Sequence, residues 1–146
     1  MSVNRVGVLG SGIMGSGIAE TVARAGFEVV LRSRSAAAAG ASRVAIEKGL
    51  AKQVAKGRLD EENAEDVMTR VRTTDDLADL AGCDLVVESV VEDMAAKVAL
   101  FAEVDRVVAP EAIMATNTST LPVIEALHRF PWVGLEVIRG STPLAS

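Results

Sequence analysis

Arg5-Val6-Gly7-Val8-Leu9-Gly10-Ser11-Gly12-Ile13-Met14-Gly15-Ser16-Gly17-Ile18-Ala19 is the stretch that decides the fold of this 146-residue chain. It begins as an apolar run with β-branched residues, turns at three glycines, and resumes with small and apolar residues at helical spacing. The pattern predicts a strand, a phosphate-binding loop and a helix. Gly10 allows the tight turn, Gly12 allows close approach of a pyrophosphate, and Gly15 allows the helix to pack onto the sheet.

The start of this helix is a predicted anion site. The backbone N–H groups near Ile13 and Met14 have no acceptor within the helix, so they are free to face a bound phosphate. A Gly-x-Gly-x-x-Gly sequence alone is weak evidence, but its position between a strand and a helix at the N-terminus favours dinucleotide binding. The alternative is a glycine-rich turn without a ligand.

The composition is that of a globular protein with one packed core, because 49% of the residues are hydrophobic and 24% are charged. The net charge of −5 gives no reason to expect a nucleic acid or an anionic membrane as partner. Cys83 is the only cysteine, which excludes an internal disulfide and suits a reducing compartment. No apolar run reaches membrane-spanning length, and we expect a cytoplasmic location.

Strand and helix patterns alternate along the rest of the chain. Ser35 and Asp60 are predicted to cap two helices, ending near residues 56 and 69, which form a helical insertion after the second strand. Further strands are predicted at 27–31, near 71, at 84–88, at 112–115 and at 132–138. The alternation predicts an α/β fold, a doubly wound, mostly parallel sheet of the Rossmann type. Residues 1–140 form the expected dinucleotide-binding domain, and residues 141–146 form a short tail.

The end of the second predicted strand indicates which cofactor is bound. NAD-binding units usually carry an acidic residue there, whose carboxylate accepts hydrogen bonds from the adenosine ribose. This chain instead has Ser33 between Arg32 and Arg34. Two guanidinium groups can bind a 2′-phosphate, which a carboxylate would repel, so we expect NADP(H) to be favoured over NAD(H). The alternative is that both arginines are simply solvated.

Four segments give the chain a resemblance to a known family. These are the glycine stretch at 10–19, the segment 87–94 with Lys97, the segment 116–119, and the segment 136–140. Together they resemble the NAD-binding domain of the 3-hydroxyacyl-CoA dehydrogenase family, over about residues 5–140. The resemblance implies hydride transfer between a nicotinamide cofactor and the 3-hydroxy or 3-keto group of an acyl-CoA.

The resemblance also implies roles for individual residues. Glu92 and Lys97 are expected to lie beside the cofactor, and Asn117 to line the nicotinamide side. Ser119 matches the serine that hydrogen-bonds the substrate's 3-oxygen. Glu136 matches the glutamate that orients a histidine general base. The alternatives are a solvated helix start for Glu92 and Lys97, and a helix cap for Ser119.

The histidine itself is missing from the expected place. Family members continue from a Val-Gly-Leu strand into His-Phe-Phe-Asn-Pro, whereas here Leu135 is followed directly by Glu136, as though that segment were deleted. We also expect the helical C-terminal domain of the family to be absent. His128, the only histidine, is predicted at a helix C-terminus, where complementing the dipole is its ordinary role.

Three functional hypotheses follow from these observations. The first is a 3-hydroxyacyl-CoA dehydrogenase by ancestry, weak or inactive in this form, with an acyl-CoA as the small-molecule substrate. The second is a non-catalytic NAD(P)-binding remnant or regulatory module. The third is a partial chain that needs a separately encoded helical domain. Loss of that domain would leave apolar surface, so self-association is a further expectation.

Overall fold

A six-stranded sheet forms the centre of the fold. The computed structural model describes residues 3–10, 12–89, 94–116 and 137–139. Across the sheet, the order is β3-β2-β1-β4-β5-β6; β1 to β5 are parallel, and β6 is antiparallel to β5. The strands are β1 (Arg5–Leu9), β2 (Glu28–Arg32), β3 (Val71–Thr74), β4 (Leu85–Glu88), β5 (Ile113–Thr116) and β6 (Val137–Arg139).

The helices lie on both faces of this sheet, which confirms the predicted doubly wound α/β fold. Among the described residues they are α1 (Gly12–Arg24), α2 (Ala36–Ala55), α3 (Glu61–Thr69), a short 3-10 helix (Leu77–Leu80) and α4 (Met94–Val107). The predicted helical insertion between β2 and β3 is therefore α2 with α3. Both predicted caps are present, because the Ser35 Oγ accepts from the Ala38 N–H at 3.1 Å and Asp60 Oδ1 accepts from the Asn63 N–H at 2.8 Å.

Two apolar clusters hold these layers together. One joins α1, α2 and α3 to the sheet through residues such as Val8, Ala19 and Ile46. The other joins α4 and the 3-10 helix to the sheet and includes Leu9 and Phe101. Val8 and Leu9 are neighbours on β1 and belong to different clusters, as expected where successive side chains point to opposite faces of a strand.

Strand boundaries and the direction of one strand differ from the sequence-based predictions: β4 begins at Leu85 and not at residue 84, and β5 spans Ile113–Thr116 and not 112–115. The second strand begins and ends one residue later than predicted, at Glu28 and Arg32. The last strand, expected as part of a parallel sheet, is antiparallel over Val137–Arg139, an arrangement that is common at the edge of such sheets. The helix predicted to end near His128 and most of the strand predicted at 132–138 lie outside the described residues. No helix in the described ranges is long and apolar enough to cross a membrane.

Candidate dinucleotide-binding site

The site lies where the connections of the sheet change direction. From β1 the chain continues to β2 and β3 on one side, and β4 and β5 lie on the other side of β1. Leu9 at the end of β1 is aligned with Arg32 of β2 and with Glu88 of β4. A crevice opens beyond the carboxyl ends of the strands at such a switch point, and ligands of open α/β sheets bind there. Gly10 follows Leu9 directly, so the glycine loop begins at this crevice.

The glycines of the loop have the conformations and contacts that phosphate binding requires. Gly10 and Gly12 have φ angles of 111° and 83°, which side-chain-bearing residues rarely adopt. A Cβ atom on Gly15 would lie 2.2 Å from the carbonyl oxygen of Gly10, so α1 approaches the loop too closely for any side chain. A Cβ atom on Gly12 would meet no atom within 4 Å, so the space beside that backbone is open. The predicted turn at Gly10, the predicted close packing at Gly15 and the predicted open backbone at Gly12 are therefore present.

The backbone amides in the first turn of α1 are accessible to an anion, and no acidic side chain in that turn competes for them. It contains no acidic residue, and the side chains of Ile13 and Met14 are 96% and 59% exposed. The first amides of a helix lack internal acceptors and carry the positive end of the helix dipole. Together with the open space beside Gly12, these groups fit a dinucleotide pyrophosphate. The loop is also tied to β2, because the Gly10 N–H donates to the Arg32 carbonyl at 3.0 Å.

A groove runs from this loop between α1 and α2. It has a volume of about 310 Å³ and is lined mainly by small residues: Gly12, Ile13, Ser16, Ala38, Ala41, Ser42 and Ala45. Within the described parts of the chain, the hydroxyls of Ser16 and Ser42 are buried and have no hydrogen-bond partner. Sequence reasoning did not single out either serine. The groove therefore adds two unused polar groups beside the phosphate loop.

The three residues at the end of β2 have different surroundings. Arg32 is half-buried, and its Nε donates to the Asp75 carbonyl at 3.2 Å. One donor of Arg32 is therefore used within the protein, and both the 2′-phosphate role of the arginines and the solvated alternative stay predictions. Arg34 is exposed. Ser33 is buried, and its Oγ has no partner among the residues that the structure describes. Arg34 is thus the more accessible guanidinium at this edge.

Lys97 is held in a buried ion pair. It lies in the first turn of α4, is 4% exposed, and its Nζ contacts Oε1 of Glu88, whose side chain is fully buried. The alternative of a solvated helix start is therefore wrong for Lys97. The sequence identified Glu88 only as the end of a strand. The signal that could have marked it as a site residue is a carboxylate at the end of an otherwise apolar strand. The pair brings both residues to the carboxyl edge of the sheet.

Several predicted site residues lie outside the described residues. They are Glu92, Asn117, Ser119 and Glu136. The same holds for His128. The roles assigned to these residues stay predictions. In the described part of the chain, no group of three or more histidine, cysteine or acidic side chains is arranged to hold a metal ion.

Comparison with known proteins gives one consistent family. Residues 5–130 match the family described as 3-hydroxyacyl-CoA dehydrogenase, NAD binding domain. A 3-hydroxybutyryl-CoA dehydrogenase of Mycobacterium tuberculosis is 45% identical over 125 residues, which is 85% of this chain and 44% of the relative. A probable 3-hydroxybutyryl-CoA dehydrogenase of Bacillus subtilis is 38% identical over 86% of this chain and 44% of its own length. The chain thus spans less than half the length of these curated relatives.

A solved structure shows the same fold. The crystal structure of M. tuberculosis FadB2 superposes with a TM-score of 0.84 at 43% identity, over 88% of this chain and 45% of that chain.

Proposed function

Because this chain belongs to the 3-hydroxyacyl-CoA dehydrogenase family, we propose that it supplies the cofactor-binding part of a hydride-transfer reaction on an acyl-CoA. The observation that carries the proposal is the loop between β1 and α1, where Gly15 contacts the Gly10 carbonyl and the space beside Gly12 is open. A nicotinamide cofactor bound there would accept hydride from a 3-hydroxyl group or deliver it to a 3-keto group. The chain's own contribution is to bind and orient that cofactor.

We also propose that catalysis by this chain is weak or absent. A general base must come within hydrogen-bond reach of the hydroxyl proton. In this sequence Leu135 is followed directly by Glu136, without the histidine segment that would supply that base. Ser119 and Glu136 are the residues proposed to contact the substrate's 3-oxygen and to orient a base. The direct connection of Leu135 to Glu136 favours a second candidate function, a cofactor-binding module without turnover.

The preference for NADP(H) over NAD(H) is a proposal of its own. It is supported by the exposed guanidinium of Arg34, by the absence of a carboxylate at Ser33, and by the first turn of α2, which contains no acidic residue. That turn begins two residues after Arg34, so a helix dipole and a guanidinium lie at the same edge. Positive charge at this place favours a ribose 2′-phosphate over a ribose hydroxyl.

Titration of the purified chain with NADPH and NADH, followed by cofactor fluorescence, tests both cofactor proposals. We expect tighter binding of NADPH, and the Arg34→Gln variant should lose most of that difference because a charge-assisted contact is worth about 1.5–3 kcal/mol. Arg24→Gln is the matched control, since it removes the same charge from an exposed residue at the opposite end of α1. Equal affinity for the two cofactors in the wild type would contradict the NADP(H) preference alone.

An assay with acetoacetyl-CoA and the preferred reduced cofactor distinguishes the two candidate functions. Saturable oxidation of the cofactor by the chain would refute the proposal of weak or absent catalysis. Binding without turnover would support the non-catalytic module. Turnover that appears only after addition of a separately expressed helical domain would instead identify a partial chain.

A further inference from the structure

Three buried serine hydroxyls lie between α1, β2 and α2, near the phosphate loop. Within the described residues, the Oγ atoms of Ser16, Ser33 and Ser42 have no hydrogen-bond partner, although these side chains are only 6%, 2% and 3% exposed. Thr21 of α1 shows the ordinary arrangement, in which a helical hydroxyl donates to the carbonyl four residues earlier, here that of Gly17 at 2.9 Å. A buried hydroxyl without a partner is unfavourable, so stability alone does not explain the three serines.

The three serines face the same layer of the fold. Ser16 and Ser42 lie on the buried faces of α1 and α2, among residues of one apolar cluster. The Ser33 N–H continues the sheet by donating to the Thr74 carbonyl at 2.8 Å. Ser33 follows Leu31 by two residues, so their side chains point to the same face, and Leu31 belongs to that cluster. The apolar layer therefore becomes polar at its end nearest the phosphate loop.

The groove between α1 and α2 gives two of these hydroxyls access to a ligand. Ser16 lines it from α1 and Ser42 lines it from α2, and its volume is about 310 Å³. A water molecule takes about 30 Å³ of liquid, so the groove has room for a larger group. Rotation about χ1 moves a serine hydroxyl among staggered positions, so either hydroxyl can turn toward such a group.

The surroundings of the groove favour an anion. None of the residues that line it is acidic. Gly12 and Ile13 are the first two residues of α1, and Ala38 is the third residue of α2, so both helices present their N-terminal ends to the groove. The positive ends of two helix dipoles therefore lie beside it, and serine hydroxyls can donate to the oxygen atoms of an anion.

We propose that this groove is a second anion site, in which the hydroxyls of Ser16 and Ser42 donate to a phosphate monoester. The site adjoins the phosphate loop at Gly12 and uses side-chain hydroxyls where the loop uses backbone amides. It goes beyond the proposed function, because it requires neither hydride transfer nor a choice of dinucleotide. The monoester has two possible sources, the ribose 2′-phosphate of a dinucleotide held by the loop and a separate phosphate ester bound beside that loop.

Isothermal titration calorimetry in a phosphate-free buffer distinguishes these sources. The first arm compares 2′,5′-ADP with 5′-ADP, which differ only in the phosphate on the ribose. The second arm titrates methyl phosphate into the chain saturated with 5′-ADP. The samples are the wild type, Ser16→Ala, Ser42→Ala and the matched control Thr21→Val, which removes an exposed hydroxyl of α1 outside the groove.

The expected result depends on the source. If the dinucleotide supplies the phosphate, the wild type should prefer 2′,5′-ADP to 5′-ADP at least tenfold, and each serine variant should lower this preference about tenfold, as expected for one hydrogen bond to a charged group. If a separate ester supplies it, methyl phosphate should bind the saturated wild type, and each serine variant should raise its dissociation constant about tenfold. Thr21→Val should match the wild type in both arms.

Thermal melts without ligand separate binding from folding. Each serine variant removes an unpartnered buried hydroxyl, and Ser16→Ala and Ser42→Ala both place the best helix former in a helix, so their Tm should equal or exceed that of the wild type. A lower Tm in both variants would show that the hydroxyls stabilise the fold and would overturn the inference. It would also be overturned if both serine variants bound the probes like the wild type, or if the wild type neither preferred 2′,5′-ADP nor bound methyl phosphate. Binding of NADPH or NADH by the same wild-type sample would then leave the proposed function standing.

Discussion

Gly15→Ala is the substitution that tests the phosphate loop most directly. The added Cβ atom would lie 2.2 Å from the Gly10 oxygen and 2.9 Å from the Gly10 carbonyl carbon. Both of these atoms belong to the backbone, so no side chain can turn aside to make room. Since Cβ contacts under 3.0 Å are essentially absent from proteins, α1 and the loop must separate by about 0.8 Å.

This displacement has a calculable effect on stability and binding. Overpacking of this kind destabilises by about 1–3 kcal/mol, which for a chain of this length lowers Tm by about 6 °C at the middle of that range. The same movement takes the first amides of α1 away from the bound phosphate. A hydrogen bond to a charged group is worth about 1.5–3 kcal/mol, so loss of one amide–phosphate contact should raise the dissociation constant of the dinucleotide about tenfold to a hundredfold.

Gly17→Ala is the matched control on the same helix. Its added Cβ atom would meet nothing within 4 Å, and Gly17 is exposed. Alanine in a helix interior is about 0.5–1 kcal/mol more favourable than glycine, so this variant should melt about 2 °C higher and bind the cofactor normally. Thermal denaturation and a cofactor titration on both variants complete the test. If Gly15→Ala melted and bound like Gly17→Ala, the close approach of α1 to the loop would be disproved.

Two further predictions concern the scaffold. Ser35→Ala and Asp60→Ala each remove a helix cap and should each lower the free energy of unfolding by about 1 kcal/mol in urea denaturation, whereas an unchanged midpoint would contradict the capping contacts. Burial raises the pKa of the Cys83 thiol to about 11, so the folded protein holds this proton more tightly than the unfolded chain. The protonated Cys83 thiol therefore contributes fully to the free energy of unfolding below the unfolded pKa of about 9, and this contribution declines between pH 9 and pH 11. When urea midpoints are measured against pH, Cys83→Ala should remove this decline.

Sequence patterns predicted most of the described fold because they act locally. Ser35 and Asp60 begin helices through their own side chains, and the apolar runs of β1 and β4 leave few alternatives to buried strands. The direction of β6 was not predictable in the same way. Whether an edge strand runs parallel or antiparallel depends on its connection and its neighbour, and an apolar run does not encode either.

The candidate site was also predictable only in part. The glycine loop was predicted because each glycine meets a backbone requirement at a fixed position, so the spacing of the glycines identifies the loop. The Glu88–Lys97 pair was not found as a pair, because its members belong to different elements and meet only when α4 packs on the sheet. The roles of Glu92, Asn117, Ser119 and Glu136 stay predictions from resemblance. The cytoplasmic location, predicted from cysteine usage and the lack of a long apolar run, and self-association, predicted from exposed apolar surface, also stay predictions.

The hydrogen bond from the Gly10 amide to the Arg32 carbonyl has a kinetic consequence. It fixes the first residue of the phosphate loop to the neighbouring strand through backbone atoms alone. A backbone group that is already held in place loses little conformational entropy when a ligand binds beside it, and such a group does not require a slow rearrangement around the encounter. In stopped-flow mixing, the observed rate of cofactor association should therefore rise linearly with cofactor concentration, without the plateau that an ordering step would impose.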